Sequence, residues 1–253
     1  MNKVDFKVAG KMYHYDVPEK WEELTQEQFI IFAGSAIKSA SIENDMVRRL
    51  LNLDDAVSVS LSISDWWWLT DQLSWMADLE SYTVGMMDTI ELPDGTTLYG
   101  FSDNFSDVTW EEWIYADGNA NAGKWDVLVA VLYRPQKADW DHQSDPREEF
   151  SQWGAEGRLE QIRKLNPDVI AAASLNYKLM RQQLTRRYRR LFSAAEESGR
   201  RSSADLQTLI REVMGDNFYE EEKYLKLSVP SVLYQLDRMV REERERRRRE
   251  RAS

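Results

Sequence analysis

The segment Asp117-Gly-Asn119-Ala-Asn121-Ala-Gly123 carries oxygen donors at alternate positions, as a loop that wraps calcium does. Such a loop needs glycine at its sixth position for the turn and a bidentate acid at its twelfth. Counted from Asp117, those positions are Ala122 and Leu128, so calcium is rejected and the segment reads as a connection between helices. A second cluster, Asp139-Trp-Asp141-His142-Gln-Ser-Asp145, sets three carboxylates beside one of the chain's 2 histidines. Carboxylate plus imidazole suits a hard or borderline divalent ion. His14, the other histidine, belongs to the opening hairpin, which leaves a solvated acidic loop as the simpler reading and a metal as the alternative.

Nucleophilic catalysis finds less support. A Ser/His/Asp device must use His14 or His142, and the chain contains neither a Gly-x-Ser-x-Gly elbow nor a glycine-rich phosphate loop. With no cysteine, thiol catalysis, thiolate metal sites and disulfides are excluded. The acid pairs Glu111-Glu112 and Glu148-Glu149 are expected in helix first turns, where carboxylates favour the positive end of the dipole. The expectation is a non-enzymatic protein that uses no metal and no cofactor.

Two other groups point to partners. Trp66, Trp67 and Trp68 cannot all face one core, because successive helical residues point about 100° apart. At least one must reach a surface or interface, and tryptophan is enriched at interface hot spots. A wide core face shared between hairpin and bundle is the other reading of the triplet. Arg186, Arg187 and Arg190, with Arg244, Arg247 and Arg248 in the closing segment, form the basic counterpart. Nucleic acid is disfavoured, since the tail interleaves Glu242, Glu243 and Glu245 with Arg246, Arg247 and Arg249 at helical i,i+4 spacing. An acidic protein surface fits better.

Charge divides the chain. Residues 1–153 hold 28 Asp/Glu against 11 Lys/Arg, and 154–253 hold 16 against 22, giving about −17 and +6 within the total of −11. All 10 tryptophans lie in the acidic part. Two regions follow: 1–153, acidic, tryptophan-rich and α+β, and 154–253, basic and helical, expected to form one cooperative unit with a tail. The opening residues lack the apolar stretch of a cleaved secretion signal, and no window approaches the roughly 18 apolar residues of a membrane span.

The elements that must position these groups read as α+β, predominantly helical: a helical bundle with two small hairpins and a protruding, charged C-terminal helix. Val4, Phe6 and Val8 alternate with polar residues, Ala9-Gly10 turns, and Met12, Tyr13 and Tyr15 return. Thr25 to Gln28 is a capping box that starts a helix near 26, and a short helix is predicted over Glu43–Leu53. Residues 56–63 alternate strictly, as a half-buried strand does. Asp65 is expected to cap a helix carrying Trp66–Leu79, and Ile90–Phe101 to form a hairpin turning at Asp94-Gly95. From Thr109 the chain reads as wholly helical, with Thr109/Glu112 as a capping box and breaks at Asp117–Gly123, Arg134-Pro135 and 136–146. Later helices are predicted at 146–165, 167–194, 203–215 and from 229 to the end. Ala173, Tyr177, Met180, Leu184, Tyr188 and Leu191 recur at steps of three and four, a buried stripe.

Several short pieces carry a family resemblance. Thr109-Trp-Glu-Glu-Trp-Ile-Tyr, Trp125 through Leu132-Tyr-Arg-Pro135, Leu24–Phe29 after the opening hairpin, and Val229-Pro-Ser-Val-Leu-Tyr-Gln-Leu-Asp before a charged helix stand in matching order. In these the chain resembles the tail assembly chaperones and tail morphogenesis proteins of tailed bacteriophages. Trp66–Trp68 and the arginine tail depart from that pattern. The resemblance implies a non-enzymatic role in building a phage tail in the host cytoplasm. It also implies a helical tape-measure protein as partner; self-association is expected from the arginine tail meeting the acidic front of a neighbouring copy, and no membrane is expected from the hydropathy. A structural virion component (connector or baseplate) and a nucleic-acid-binding module are the alternatives.

Overall fold

Ala9 (φ 49) and Gly10 (φ 84) both lie in the left-handed region, which two-residue hairpin turns of the primed type require. They join β1 (Asn2–Val8) to β2 (Lys11–Val17) in an antiparallel register running from Asn2↔Val17 to Val8↔Lys11. The computed structural model describes residues 1–36, 42–82, 84–192 and 218–252, so the helix predicted at 203–215 lies outside the described residues. The fold is α+β and predominantly helical, with a two-stranded and a three-stranded antiparallel sheet.

The chain divides into two compact units, Met1–Asp88 with Asn166–Leu179, and Thr89–Leu165 with Met180–Ser253. The charge boundary at residue 153 falls inside the second. In the first unit, α1 (Gln26–Ala36) begins at the expected box: the Thr25 amide donates to Gln28 Oε1 and the Gln28 amide to Thr25 Oγ1. Trp21 packs among Phe29, Phe32, Trp75 and Tyr82, with ring centroids 5.1 to 6.5 Å away. Most of these pairs meet edge to face, the arrangement the ring quadrupoles favour. After α2 (Asn44–Leu50), the predicted strand at 56–63 is instead α3 (Asp55–Ser60), followed by Ile63 as the first residue of α4 (Ile63–Gln72). Among the described residues no strand pairs with this segment, and its amides close helical turns, Ser58 N to Asp54 O at 2.9 Å and Leu61 N to Val57 O at 3.1 Å. A ladder needs a partner; a helix does not.

In the second unit, β3 (Thr89–Glu91) and β4 (Thr97–Tyr99) form the expected hairpin, with Gly95 at φ 85. A third strand, β5 (Arg134–Pro135), joins β4, so the chain after Thr109 is not wholly helical. The break predicted at Asp117–Gly123 is confined to residues 122–124 by α5, which runs Trp110–Asn121. The helix stops in a Schellman closure at Gly123 (φ 73), where the Gly123 amide reaches Ala120 O at 3.0 Å and the Lys124 amide reaches Asn119 O at 2.9 Å. The polar side chains read as loop formers are satisfied inside the helix: Asn119 donates to Tyr115 O and Asn121 to Asp117.

Then come α6 (Trp125–Leu132), whose Leu128–Leu132 are fully buried, and α7 (Gln152–Ile162), which starts six residues later than predicted. Next are α8 (Pro167–Arg187), shared between the units, α9 (Phe218–Leu225) and α10 (Val229–Ala252). The stripe is buried as expected, from Ala173 at 0% exposure in α8 to Tyr188 at 8% in the turn that follows it, where the helix predicted over 167–194 is interrupted. The start of α10 is pinned beside α5, with the Trp110 amide on Leu227 O and the Val229 amide on Val108 O.

Candidate functional site

The surface around α4 is assembled by a local device. Ser62, not the expected Asp65, is the N-cap: its hydroxyl accepts from the Asp65 amide, and the Asp65 carboxylate accepts from the Ser62 amide at 2.8 Å. The Ser62 hydroxyl and amide hold the Asp65 carboxyl below its usual value. This starts the helix one turn earlier than predicted and puts Ile63 in line with Trp67. Leu69 and Leu73 are fully buried, Trp66 is half-buried, and Trp68 is 41% exposed. Trp67 and Ile63 stand out at 75% and 79%, with Val59 of α3 also exposed. The helix predicted through Leu79 ends at Gln72. Beyond it, 3-10 turns swing Trp75 so that its indole donates to Pro18 O at 3.0 Å. Asp71 completes the row Ile63, Trp67, Asp71 at i, i+4 and i+8. Between Arg49 and Lys124 the chain has no Lys, Arg or His, so this face is acidic by composition.

The basic groups gather in the second unit. Arg190 of the segment after α8 meets Asp237, Val240, Arg241, Glu245 and Arg248 of α10 around a groove of about 280 Å³. A hollow of about 510 Å³ shares Arg190, Asp237 and Arg241 and adds Arg187 and Arg189. Arg186 is exposed but does not line either space. The side chains of Arg244 and Arg247 lie outside the described residues. Ion pairs along α10 join Asp237 to Arg241, Arg238 to Glu242, and Arg246 to Glu250. Arg181 of α8 pairs with the buried Asp117 of α5.

A buried ion network escaped the sequence reading. Glu112, expected to close a capping box, is 0% exposed and bonds to Arg134 and, at 3.3 Å, to Arg147. Only the first half of the box forms, the Glu112 amide donating to Thr109 Oγ1. Arg147 is also fully buried and donates to Leu132 O, Asp107 O and both oxygens of Asp145. Burial pushes the Glu112 carboxyl up from its ordinary value against the pull of the two guanidiniums. Burial works to lower Arg147 too, but Glu112 and the two aspartates outweigh it and raise it. The extended run that delivers Arg147 is also why no helix begins at 146, and it leaves Glu148-Glu149 outside any helix.

The acidic loop at 139–145 divides its groups among separate tasks. Asp141 accepts from the Gln143 and Ser144 amides and the Ser144 hydroxyl, which lower its carboxyl to about 2. Asp145 serves Arg147, and His142, at φ 61, lies 4.4 Å from the Trp140 ring. Among the described residues, no three of His, Asp and Glu gather as a metal donor set, and no helix is long and apolar enough to cross a membrane.

Ile63, the apolar residue in line with Trp67, falls in the segment whose alternation predicts a strand, as does the exposed Val59 of α3. The signal was present in the i,i+4 spacing of Ile63 and Trp67. Trp153, 85% exposed on α7, gave no such signal, since its i+4 neighbour is Gly157. Comparison with known proteins found no matching protein-family model, no matching curated protein and no matching solved structure.

Proposed function

We propose that this protein is a non-enzymatic assembly factor that binds helical protein segments, in the class of the phage tail assembly chaperones its motifs resemble. The observation that carries the reading is α4, which buries Leu69, with Leu73 buried just beyond its end, yet leaves Trp67 75% and Ile63 79% exposed. A surface helix needs one apolar face; a second one in solvent calls for a partner. A tryptophan carries about 150–250 Å² of surface, so covering most of Trp67 contributes on the order of 3–5 kcal/mol before association costs. The carboxylates around it select a segment that brings Lys or Arg. The tape-measure protein that the resemblance implies is long and helical, and masking its apolar faces until tube polymerisation is the task such a surface suits.

Co-expression with the tape-measure protein tests this. Wild-type protein should keep it soluble and co-purify with it, and Trp67→Ser with Ile63→Ser should lose it at an unchanged melting temperature. Recovery unaffected by the double variant refutes the role given to α4. Mass spectrometry of purified virions decides the class: a chaperone is absent, whereas presence at fixed stoichiometry makes the protein a structural component. An observation favouring a polyanion partner is the arginine groove, but Asp237 and Glu245 stand in its wall and oppose it.

A further inference from the structure

We infer that the acidic tryptophan face of α4 docks the arginine-rich end of α10 from a second copy, so that the protein associates head to tail. The inference uses the α4 face but does not rest on the tail-assembly reading, because both halves of the contact belong to this chain.

The face offers two things together. Trp67 and Ile63 present a flat apolar surface, 75% and 79% exposed. Asp71, one turn further along the same row, is exposed, and its carboxylate makes no hydrogen bond or ion pair among the described residues. The nearest basic residues in sequence are Arg49 and Lys124, and Arg49 is engaged with Asp168 at 3.6 Å. An indole beside a free carboxylate is a site for a guanidinium, which stacks on the ring while pairing with the acid.

The end of α10 offers the complement. Its apolar residues stop at Val240, and residues 241–253 hold seven arginines against four glutamates. Arg248 and Arg249 are exposed and make no ion pair among the described residues. Arg238, Arg241, Arg248 and Arg249 fall on one side of the helix at steps of three, seven and one. At about 1.5 Å rise per residue, Trp67 and Asp71 lie about 6 Å apart along α4, a gap that the exposed guanidiniums of Arg248 and Arg249, adjacent on α10, can bridge on their long side chains. Each copy carries one face and one helix end, so the contact joins two different patches and can close reciprocally in a dimer or continue into rings or chains. A docked neighbour also covers Trp67, so self-association and capture of another helical segment compete.

Sedimentation velocity of the purified full chain, over a range of concentrations and at low and high salt, tests this without any tail protein. Association that grows with concentration and weakens with salt is expected, and Trp67→Ser, or Arg248→Glu with Arg249→Glu, should each weaken it roughly tenfold or more. Mixing the two variants is the decisive arm. One supplies an intact tail and the other an intact face, so the mixture should form heterodimers that grow no further. A chain that stays monomeric, association that survives either variant, or variants that fail to complement each other all overturn the proposal. None of these results bears on co-purification with a tape-measure protein, so the two readings fail separately.

Discussion

Arg147→Ala should be among the most damaging single substitutions in the second unit. The wild-type side chain is 0% exposed and distributes its donors over Leu132 O at 3.0 Å, Asp107 O at 2.7 Å, Asp145 at 2.9 and 3.0 Å, and Glu112 at 3.3 Å. Removing it leaves Glu112 buried with Arg134 as its remaining guanidinium partner and Glu112 Oε2 already without a hydrogen bond. Breaking one partner of a buried ion pair costs about 3–5 kcal/mol, because the surviving charge stays desolvated. The orphaned carbonyls add to this non-additively. Arg147→Lys keeps the charge but not the planar fork and should recover only part of the loss. The exposed pair Lys164–Glu160, at 2.9 Å, is the control: Lys164→Ala should change stability by less than about 0.5 kcal/mol. Urea unfolding followed by tryptophan fluorescence reads all three. An Arg147→Ala loss below about 1 kcal/mol would mean that the network is solvated in solution and would refute the reasoning.

Glu112→Gln should flatten the pH dependence of stability. With a folded pKa raised above the ordinary 4.5, the contribution of Glu112 is complete below that value and is lost as pH rises through the folded pKa. A stability–pH curve identical in wild type and variant contradicts this. Gly34→Ala should destabilise by about 1–3 kcal/mol although alanine is the better helix former, because its methyl would run into the Asp168 side chain; a gain in melting temperature refutes it. Leu184→Ala, at a site 5% exposed, should cost about 2–5 kcal/mol, and a loss below about 0.5 would place the stripe in solvent. The Asp141 carboxyl should titrate by NMR near pH 2, and the order of its loop should persist above that and fail as pH falls through it; a midpoint at the usual 3.8 breaks the account.

What the sequence determined by itself is whatever a few neighbouring residues settle. The Ala9-Gly10 and Asp94-Gly95 turns, the Thr25–Gln28 box and the Ala173–Leu191 stripe form as read, because turn dihedrals, caps and helical periodicity are short-range. The 100° step between helical neighbours also anticipated that at least one of Trp66–Trp68 stays outside the core. Tertiary structure decided the rest. Residues 56–63 carry a strand's alternation, yet a strand exists only where another chain segment offers its backbone, and here helical turns close instead. Glu112 had the spacing of a cap and became the centre of a buried network, drawn there by guanidiniums 22 and 35 residues away. Asp117, read as a loop residue, stays helical because Arg181, distant in sequence, meets its buried carboxylate. A charged side chain's role depends on whether burial strips its water and which opposite charge replaces it, and only the packed chain specifies either.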